Sequence, residues 1–330
     1  MTNTAEGTAP DNHTLANLPR LVLEAHTRIR PSVLETPLEP IPELAADAGT
    51  LALFKLENLQ RTGSFKLRGA TNKILLLTGK QAGDCVIAAS NGNHGLGVAA
   101  AAKSRGVLAE VYVSSQISPS KAKHIEEYGA RVRVVGKDPL DAELAAREAA
   151  NKSGKVFISP YNDWEVIAGQ GTIAVELHRQ APQLDAVFVA VGGGGLISGI
   201  GSYLKSVSPR TEIVGCWPEN SRVLYESIQA GRILDCPEQP TLSESTAGGL
   251  EPESITLDIV RKVIDRSVFV SEAEILAAMR RVRSLRGWMI EGAAAVALAA
   301  FLKDPSRYRG KTVAIVICGG NVSPEVSERL

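Results

Sequence analysis

The stretch VFVAVGGGGLISGIG, Val187–Gly201, opens with an unbroken apolar run, stops at four consecutive glycines, Gly192–Gly195, and resumes as an apolar helical pattern from Leu196. A buried strand that feeds a side-chain-free turn and then a helix N-terminus lets several backbone N–H groups converge on one anion. The spacing excludes two familiar phosphate motifs. A dinucleotide fingerprint needs G-x-G-x-x-G with an acidic residue about 20 positions on, and a Walker loop must end in Gly-Lys-Ser/Thr. Taken alone, the four glycines also suit a tight turn that only lets a helix pack closely on a strand.

The same strand and helix alternation extends outward in both directions. Short β-rich runs occur at Cys85–Ser90, Leu108–Ser114, Arg131–Val135, Lys155–Ser159, Asp185–Val191, Glu212–Trp217 and Lys311–Cys318. Between them lie helical patterns such as HGLGVAAAAKSRG (His94–Gly106), PLDAELAAREAANKSG (Pro139–Gly154) and SEAEILAAMRRVRSLRG (Ser271–Gly287), each closed by a glycine soon after a basic residue. This alternation predicts an α/β fold with parallel sheets, in which ligands gather at the carboxyl ends of the strands. One segment breaks the pattern: DCPEQPTLSESTAGGLEPES, Asp235–Ser254, has no hydrophobic period and reads as a long loop of the functional kind.

With 36 Lys+Arg against 36 Asp+Glu over 330 residues, no global field favours nucleic acid or an anionic membrane. The length predicts two lobes, each with its own core. Cys85, Cys216, Cys236 and Cys318 lack CxxC spacing, so neither a zinc site nor a disulfide framework is expected. The first residues carry no basic stretch followed by an apolar core, and no apolar run reaches membrane-spanning length. A soluble, reducing, cytoplasmic setting is expected.

Three further segments carry residues suited to chemistry. SFKLRGA, Ser64–Ala70, places Lys66 beside Phe65 at the opening of a helix, where the positive end of the dipole lowers an amine's pKa and suits it to Schiff-base formation. SNGNHGLGVA, Ser90–Ala99, ends a strand with short polar residues and glycines, offering Ser90, Asn91, Gly92, Asn93 and His94 to a carboxylate or a ring oxygen. VICGGN, Val316–Asn321, ends the last strand on the thiol of Cys318. Solvated lysine, helix-capping turn and buried apolar cysteine are the plain readings of the three. His13, His26, His124 and His178 show no metal or triad spacing.

In this order, the segments resemble those of the fold-type-II pyridoxal-phosphate enzymes, specifically the threonine dehydratase, serine dehydratase and serine racemase family. The similarity runs over about Leu18–Val322 and includes KLENLQRTGSFKLRGA, YGARV, VIAGQGTIAVEL and IEGAAAVALAA around Glu291. It implies a large cofactor-binding lobe from residues 1–83 and 160–330, a small lobe from residues 84–159, pyridoxal 5'-phosphate in the cleft between them, and a homodimer. It also implies Lys66 as the Schiff-base lysine, Phe65 beside the ring, Asn93 at the ring hydroxyl, Gly192–Gly195 with Leu196 as the phosphate cradle and Cys318 at the ring nitrogen. Ser90–His94 would take the substrate carboxylate.

Departures from the family pattern refine the expectation. Asn91 stands where racemases carry a serine on the second face of the substrate, which points away from two-face proton transfer. Trp217 precedes Pro218 where metal-dependent members supply a glutamate, so no metal is expected. Biosynthetic threonine dehydratases append a regulatory domain, whereas this sequence stops at Leu330, so feedback by an amino acid is not expected. A neutral thiol at Cys318 leaves a ring nitrogen largely unprotonated, which suits β-elimination.

The resulting expectation is an ammonia-lyase acting on a small β-hydroxy-α-amino acid such as threonine or serine. The loop Ser245–Ser254 resembles dehydratases of hydroxyectoine utilisation, so a hydroxyectoine-derived or hydroxyaspartate-like substrate is the alternative. A racemase or a β-replacement synthase of the same fold also competes. A hydroxyaspartate would require a cation for its second carboxylate, and Arg61 and Arg68 are the arginines within the motifs.

Overall fold

A computed structural model describes residues 13–44, 49–237 and 239–330. The strands are β1 (Leu38–Pro40), β2 (Leu51–Leu56), β3 (Cys85–Ala89), β4 (Leu108–Val113), β5 (Arg131–Val134), β6 (Ala186–Ala190), β7 (Glu212–Pro218), β8 (Arg266–Val270) and β9 (Thr312–Ile317). The helices are α1 (Leu18–Ile29), α2 (Lys66–Leu75), α3 (Gly79–Gly83), α4 (Asn93–Arg105), α5 (Pro119–Glu127), α6 (Pro139–Ser153) and α7 (Trp164–Gln180). They continue as α8 (Gly195–Val207), α9 (Val223–Ala230), α10 (Thr256–Val263), α11 (Glu272–Arg286), α12 (Gly292–Lys303) and α13 (Pro324–Ser327).

These elements build the expected fold-type-II α/β architecture. A six-stranded sheet runs β1-β2-β9-β6-β7-β8, parallel except for β1, and a three-stranded parallel sheet runs β3-β4-β5. Strand β9 lies between β2 and β6, so both ends of the chain contribute to the centre of the large sheet. One apolar core fills that sheet and the helices around it; a second joins β3 and β4 to α4 and to Leu67, Ala70 and Ile74 of α2.

Helices start and stop as local chemistry dictates. Asp138 and Ser271 cap α6 and α11 with reciprocal capping boxes, and Gly154 and Gly287 end them in the left-handed conformation. Helices α2, α7 and α8 approach too closely for side chains: a Cβ on Gly169 would lie 2.6 Å from the Cα of Gly69, and one on Gly199 would lie 2.4 Å from the carbonyl oxygen of Ile167.

Two features depart from the sequence reading. The expected strand Lys155–Ser159 reduces to a single bridge, Phe157 against Ile87, because the segment is bounded by left-handed Gly154 and turns away at Pro160. Strands β1, β2 and β8 carry no strand signal read above. In β2 the cause is Lys55, which interrupts the apolar run LALFKL yet is fully buried.

Lys55 is tolerated because a charge-balanced cluster surrounds it. Its Nζ donates to Glu176 Oε2 at 2.6 Å and to the Thr36 carbonyl at 2.8 Å. Beside it, Arg68 donates to Glu57 Oε2 and Oε1, each at 2.8 Å, and to Glu176 Oε1 at 2.6 Å. Burial alone would depress the guanidinium's pKa, but the two carboxylates hold it above its ordinary value. Arg68 is therefore a structural residue that ties α2 to α7, out of reach of any substrate.

Candidate active site

Three chain segments meet at the carboxyl edge of the large sheet. Strand β9 leads directly into Cys318; the loop after β2 returns beside it, with Phe65 N–H donating to the Cys318 carbonyl at 3.1 Å and Gly320 N–H donating to the Gly63 carbonyl at 2.9 Å. This places Lys66, the first residue of α2, next to the thiol. Strand β6 ends in the third segment, the glycine turn. Lys66, Phe65, Gly192–Gly195, Leu196, Cys318 and Glu291 all line one cleft of about 1150 Å³.

The Lys66 amine donates to the Pro160 carbonyl at 2.9 Å and lies 5.2 Å from the centre of the Phe65 ring. Burial penalises its charged form and pulls its pKa down to about 8, against the weaker opposing pull of Cys318 and Glu291. Such an amine is neutral, and so able to act as nucleophile or base, in a far larger fraction near neutral pH than an ordinary lysine.

The glycine turn is shaped for an anion. Gly194 takes a φ of 85° as the N-cap of α8, a conformation that favours glycine. A Cβ on Gly192 would lie 2.7 Å from the Thr246 backbone, and one on Gly193 would lie 2.5 Å from the Tyr161 ring. Thr256 Oγ1 donates to the Gly193 carbonyl at 2.7 Å and fixes the turn. Among the described residues no protein acceptor takes the N–H groups of Gly192–Leu196. They form a nest at the positive end of α8.

Glu291, at the start of α12, joins the two sides of the site. Asn93 Nδ2 donates to Glu291 Oε2 at 2.7 Å, the Cys318 thiol approaches Oε1 at 3.8 Å, and Asn321 Nδ2 donates to Asn93 Oδ1 at 2.7 Å. Burial raises the pKa of Glu291, and burial together with Glu291 raises that of Cys318 well above the ordinary thiol value. Cys318 is thus a neutral hydrogen-bond donor. Glu291 was read only as part of a motif; its sequence signal is an acid standing immediately before the apolar helix GAAAVALAAFLK.

The loop Ser90–His94 leads into α4, and several of its side chains are engaged within the protein. Ser90 Oγ accepts from the Gly92 N–H at 3.1 Å. The Asn91 amide is spent on Ser114, donating to its Oγ at 2.6 Å and accepting from its N–H at 2.8 Å. His94 is buried, its Nε2 bonded to the Ile158 carbonyl at 2.8 Å, and burial with the nearby Lys66 charge drives its pKa down to about 3. Its ring is thus neutral and buried. Gly92 and Asn93 line an adjoining cavity of about 140 Å³ that shares Glu291 and Ser245 with the main cleft.

The far wall of the cleft was not legible in any motif. Arg147 of α6 is held by Glu143 at 2.9 Å and by Glu251 at 2.6 Å, and it stacks over Phe157. Glu251 belongs to the long loop anticipated from Asp235–Ser254, of which every residue except Glu238 is described. Among the described residues no group of three or more His, Cys, Asp or Glu could hold a metal, and no helix is long and apolar enough to cross a membrane.

Comparison with known proteins agrees with this geometry. The family model described as pyridoxal-phosphate dependent enzyme matches residues 29–319. An L-threonine ammonia-lyase of Thermotoga maritima is 38% identical over 94% of this chain and 77% of its own length. A beta-hydroxyaspartate dehydratase of Paracoccus denitrificans is 35% identical over 91% of this chain and 95% of its own length. The structure of maize serine racemase superposes with a TM-score of 0.88 at 31% identity, covering 94% of this chain and 95% of that one. The residues present fit pyridoxal phosphate: a lysine amine of lowered pKa, an N–H nest that any Cβ would fill, and a neutral thiol donor in one cleft. With both the family model and relatives above 30% identity spanning nearly its whole length, this chain belongs to the pyridoxal-phosphate dependent enzymes.

Proposed function

We propose that this protein is an ammonia-lyase that dehydrates a small β-hydroxy-α-amino acid, with threonine or serine as the model substrates, to a 2-oxo acid and ammonia. The observation that carries the reading is the meeting of Lys66 and Cys318 beside the glycine nest, in a chain whose relatives include threonine ammonia-lyases. Lys66 would link to pyridoxal phosphate, the N–H groups of Gly192–Leu196 would hold its phosphate, Phe65 and Asn93 would border its ring, and the Cys318 thiol would face the ring nitrogen. Once bound, the group supplies an electron sink for charge developing at the substrate's α-carbon.

The protein's own residues do the rest. The Lys66 Nζ removes the proton from the α-carbon, a task matched by its lowered pKa. The substrate carboxylate sits at the start of α4, on backbone N–H groups of the Ser90–His94 turn rather than on the His94 ring. A neutral thiol at Cys318, kept protonated by burial, favours rapid elimination over prolonged charge storage.

Arg68 is locked in the buried cluster, Arg61 is exposed, and Arg147 is paired with Glu143 and Glu251, so none of the three offers a free guanidinium to a second carboxylate. Lys121, which lines the adjoining cavity beside Asn93 and Ser245, is the cation a hydroxyaspartate-like substrate would use. Release of ammonia and 2-oxo acid across a panel of β-hydroxy amino acids tests the assignment, with Lys66→Ala as control. That variant should fold and lose turnover by several orders of magnitude; substantial activity in it overturns the mechanism.

We also propose the lobe division at residues 84–159, a homodimer and a cytoplasmic location. The four cysteines are free in the structure, which supports a reducing compartment. Light scattering of the purified protein checks the dimer.

A further inference from the structure

The turn Ser159–Asn162 touches both halves of the chemistry. Its Pro160 carbonyl accepts the hydrogen bond from Lys66 Nζ at 2.9 Å. Its Tyr161 ring lies against the glycine nest, where a Cβ on Gly193 would come within 2.5 Å of it and one on Gly195 within 2.9 Å of the Tyr161 Cα. The two residues that bracket this pair are gripped by one side chain. Ser159 Oγ donates to Glu251 Oε1 at 2.7 Å, and Asn162 Nδ2 donates to Glu251 Oε2 at 2.8 Å. The Glu251 N–H then donates to the Tyr161 hydroxyl at 2.7 Å.

Two further bonds anchor the grip. Asn162 N–H donates to Ser159 Oγ at 3.0 Å, closing the turn on itself, and Asn162 Oδ1 accepts from the Ile255 N–H at 2.9 Å. Arg147 reaches Glu251 Oε1 at 2.6 Å from α6, so the carboxylate is charge-compensated while it holds the turn. Its side chain is only 12% exposed, which gives these bonds a strength that a solvated carboxylate would lack.

We propose that Glu251 is a positioning residue for this site: by clamping Ser159 and Asn162 it holds the Pro160 carbonyl on the Lys66 amine and the Tyr161 ring against the phosphate nest. The proposal rests on the reading of Lys66 and Gly192–Gly195 given above, and it assigns a task to the long loop that the motifs left without one. Glu251 itself need not touch a substrate. It acts through the turn, and its loss should loosen the amine and the nest together.

The test uses the full-length apoprotein, titrated with pyridoxal phosphate for the first readout and kept free of it for the second. Two readouts apply: the dissociation constant for pyridoxal phosphate by fluorescence titration, and the pH midpoint of Lys66 acylation by trace acetic anhydride, quantified by peptide mass spectrometry. Glu251→Gln keeps the size of the side chain but cannot accept on both arms. It should weaken pyridoxal phosphate binding at least tenfold and shift the Lys66 midpoint upward by half a unit or more, as water enters beside the amine. Arg147→Met removes the compensating charge but none of the hydrogen bonds between Glu251 and the turn, and should weaken binding less than threefold. If Glu251→Gln does not yield folded protein, Ser159→Ala combined with Asn162→Ala removes the gripped groups instead, with the same expectation. Wild-type affinity and midpoint in the folded variant overturn the proposal, as does an Arg147→Met effect equal to that of Glu251→Gln. A wild-type protein that fails to bind pyridoxal phosphate brings down the functional reading as well, whereas normal wild-type binding with silent variants brings down this inference alone.

Discussion

The lowered pKa of Lys66 makes a quantitative claim about the apoprotein. The cause is burial, which costs the ammonium its hydration, and the direction follows: the neutral amine is favoured. With a pKa of about 8 in place of 10.5, roughly one amine in ten is neutral at pH 7, compared with about one in 3,000 for the ordinary value, a gain of about 300-fold in reactive base. Trace labelling with acetic anhydride over pH 6–11, read on the peptide carrying Lys66, follows the neutral fraction. Restricted access scales the whole curve but leaves its midpoint alone. The native apoprotein should give a midpoint near 8 and the same peptide in denaturant one near 10.5. A native midpoint at or above about 10 would refute the reasoning, since the pocket would then hold a solvated ammonium poorly suited to take a proton from carbon.

Four other outcomes are expected. Arg68→Met should destabilise the fold by about 3 to 5 kcal/mol, because Glu57 and Glu176 remain buried with only Lys55 to compensate them; denaturant unfolding measures it, and a change under 1 kcal/mol would contradict the cluster. Gly193→Ala drives a Cβ to 2.5 Å from the Tyr161 ring and should weaken pyridoxal phosphate binding at least tenfold while the folded structure persists by circular dichroism. In deuterated water an L-β-hydroxy amino acid should yield 2-oxo acid with little D-isomer, since the Asn91 amide is tied to Ser114 and cannot relay protons; D-isomer outpacing ammonia would favour the racemase reading. Chelators should leave activity unchanged, because buried Trp217 occupies the place where metal-dependent relatives offer a carboxylate; a loss reversed by magnesium or manganese would contradict this.

The sequence by itself determined what is local. A strand, a glycine turn and a helix start are contiguous in Ala186–Val207, so the nest at Gly192–Gly195 needs no distant partner to be recognised. The same holds for Lys66 at the head of α2 and for Cys318 directly after β9, since both positions follow from element boundaries. Tertiary structure alone decided the rest. Strand β2 was hidden because Lys55 is polar in sequence, and only its pairing with Glu176, 121 positions away, makes burial of that amine permissible. The ring of His94 stands in a polar motif, yet a carbonyl 64 positions on takes its Nε2 and the ring is buried. Glu291 acquires its role only by meeting Asn93 across 198 positions, and Glu251 acquires its own by reaching Ser159 across 92. Periodicity and turn chemistry report on the nearest few residues, whereas a buried carboxylate is defined by whichever donors folding brings to it.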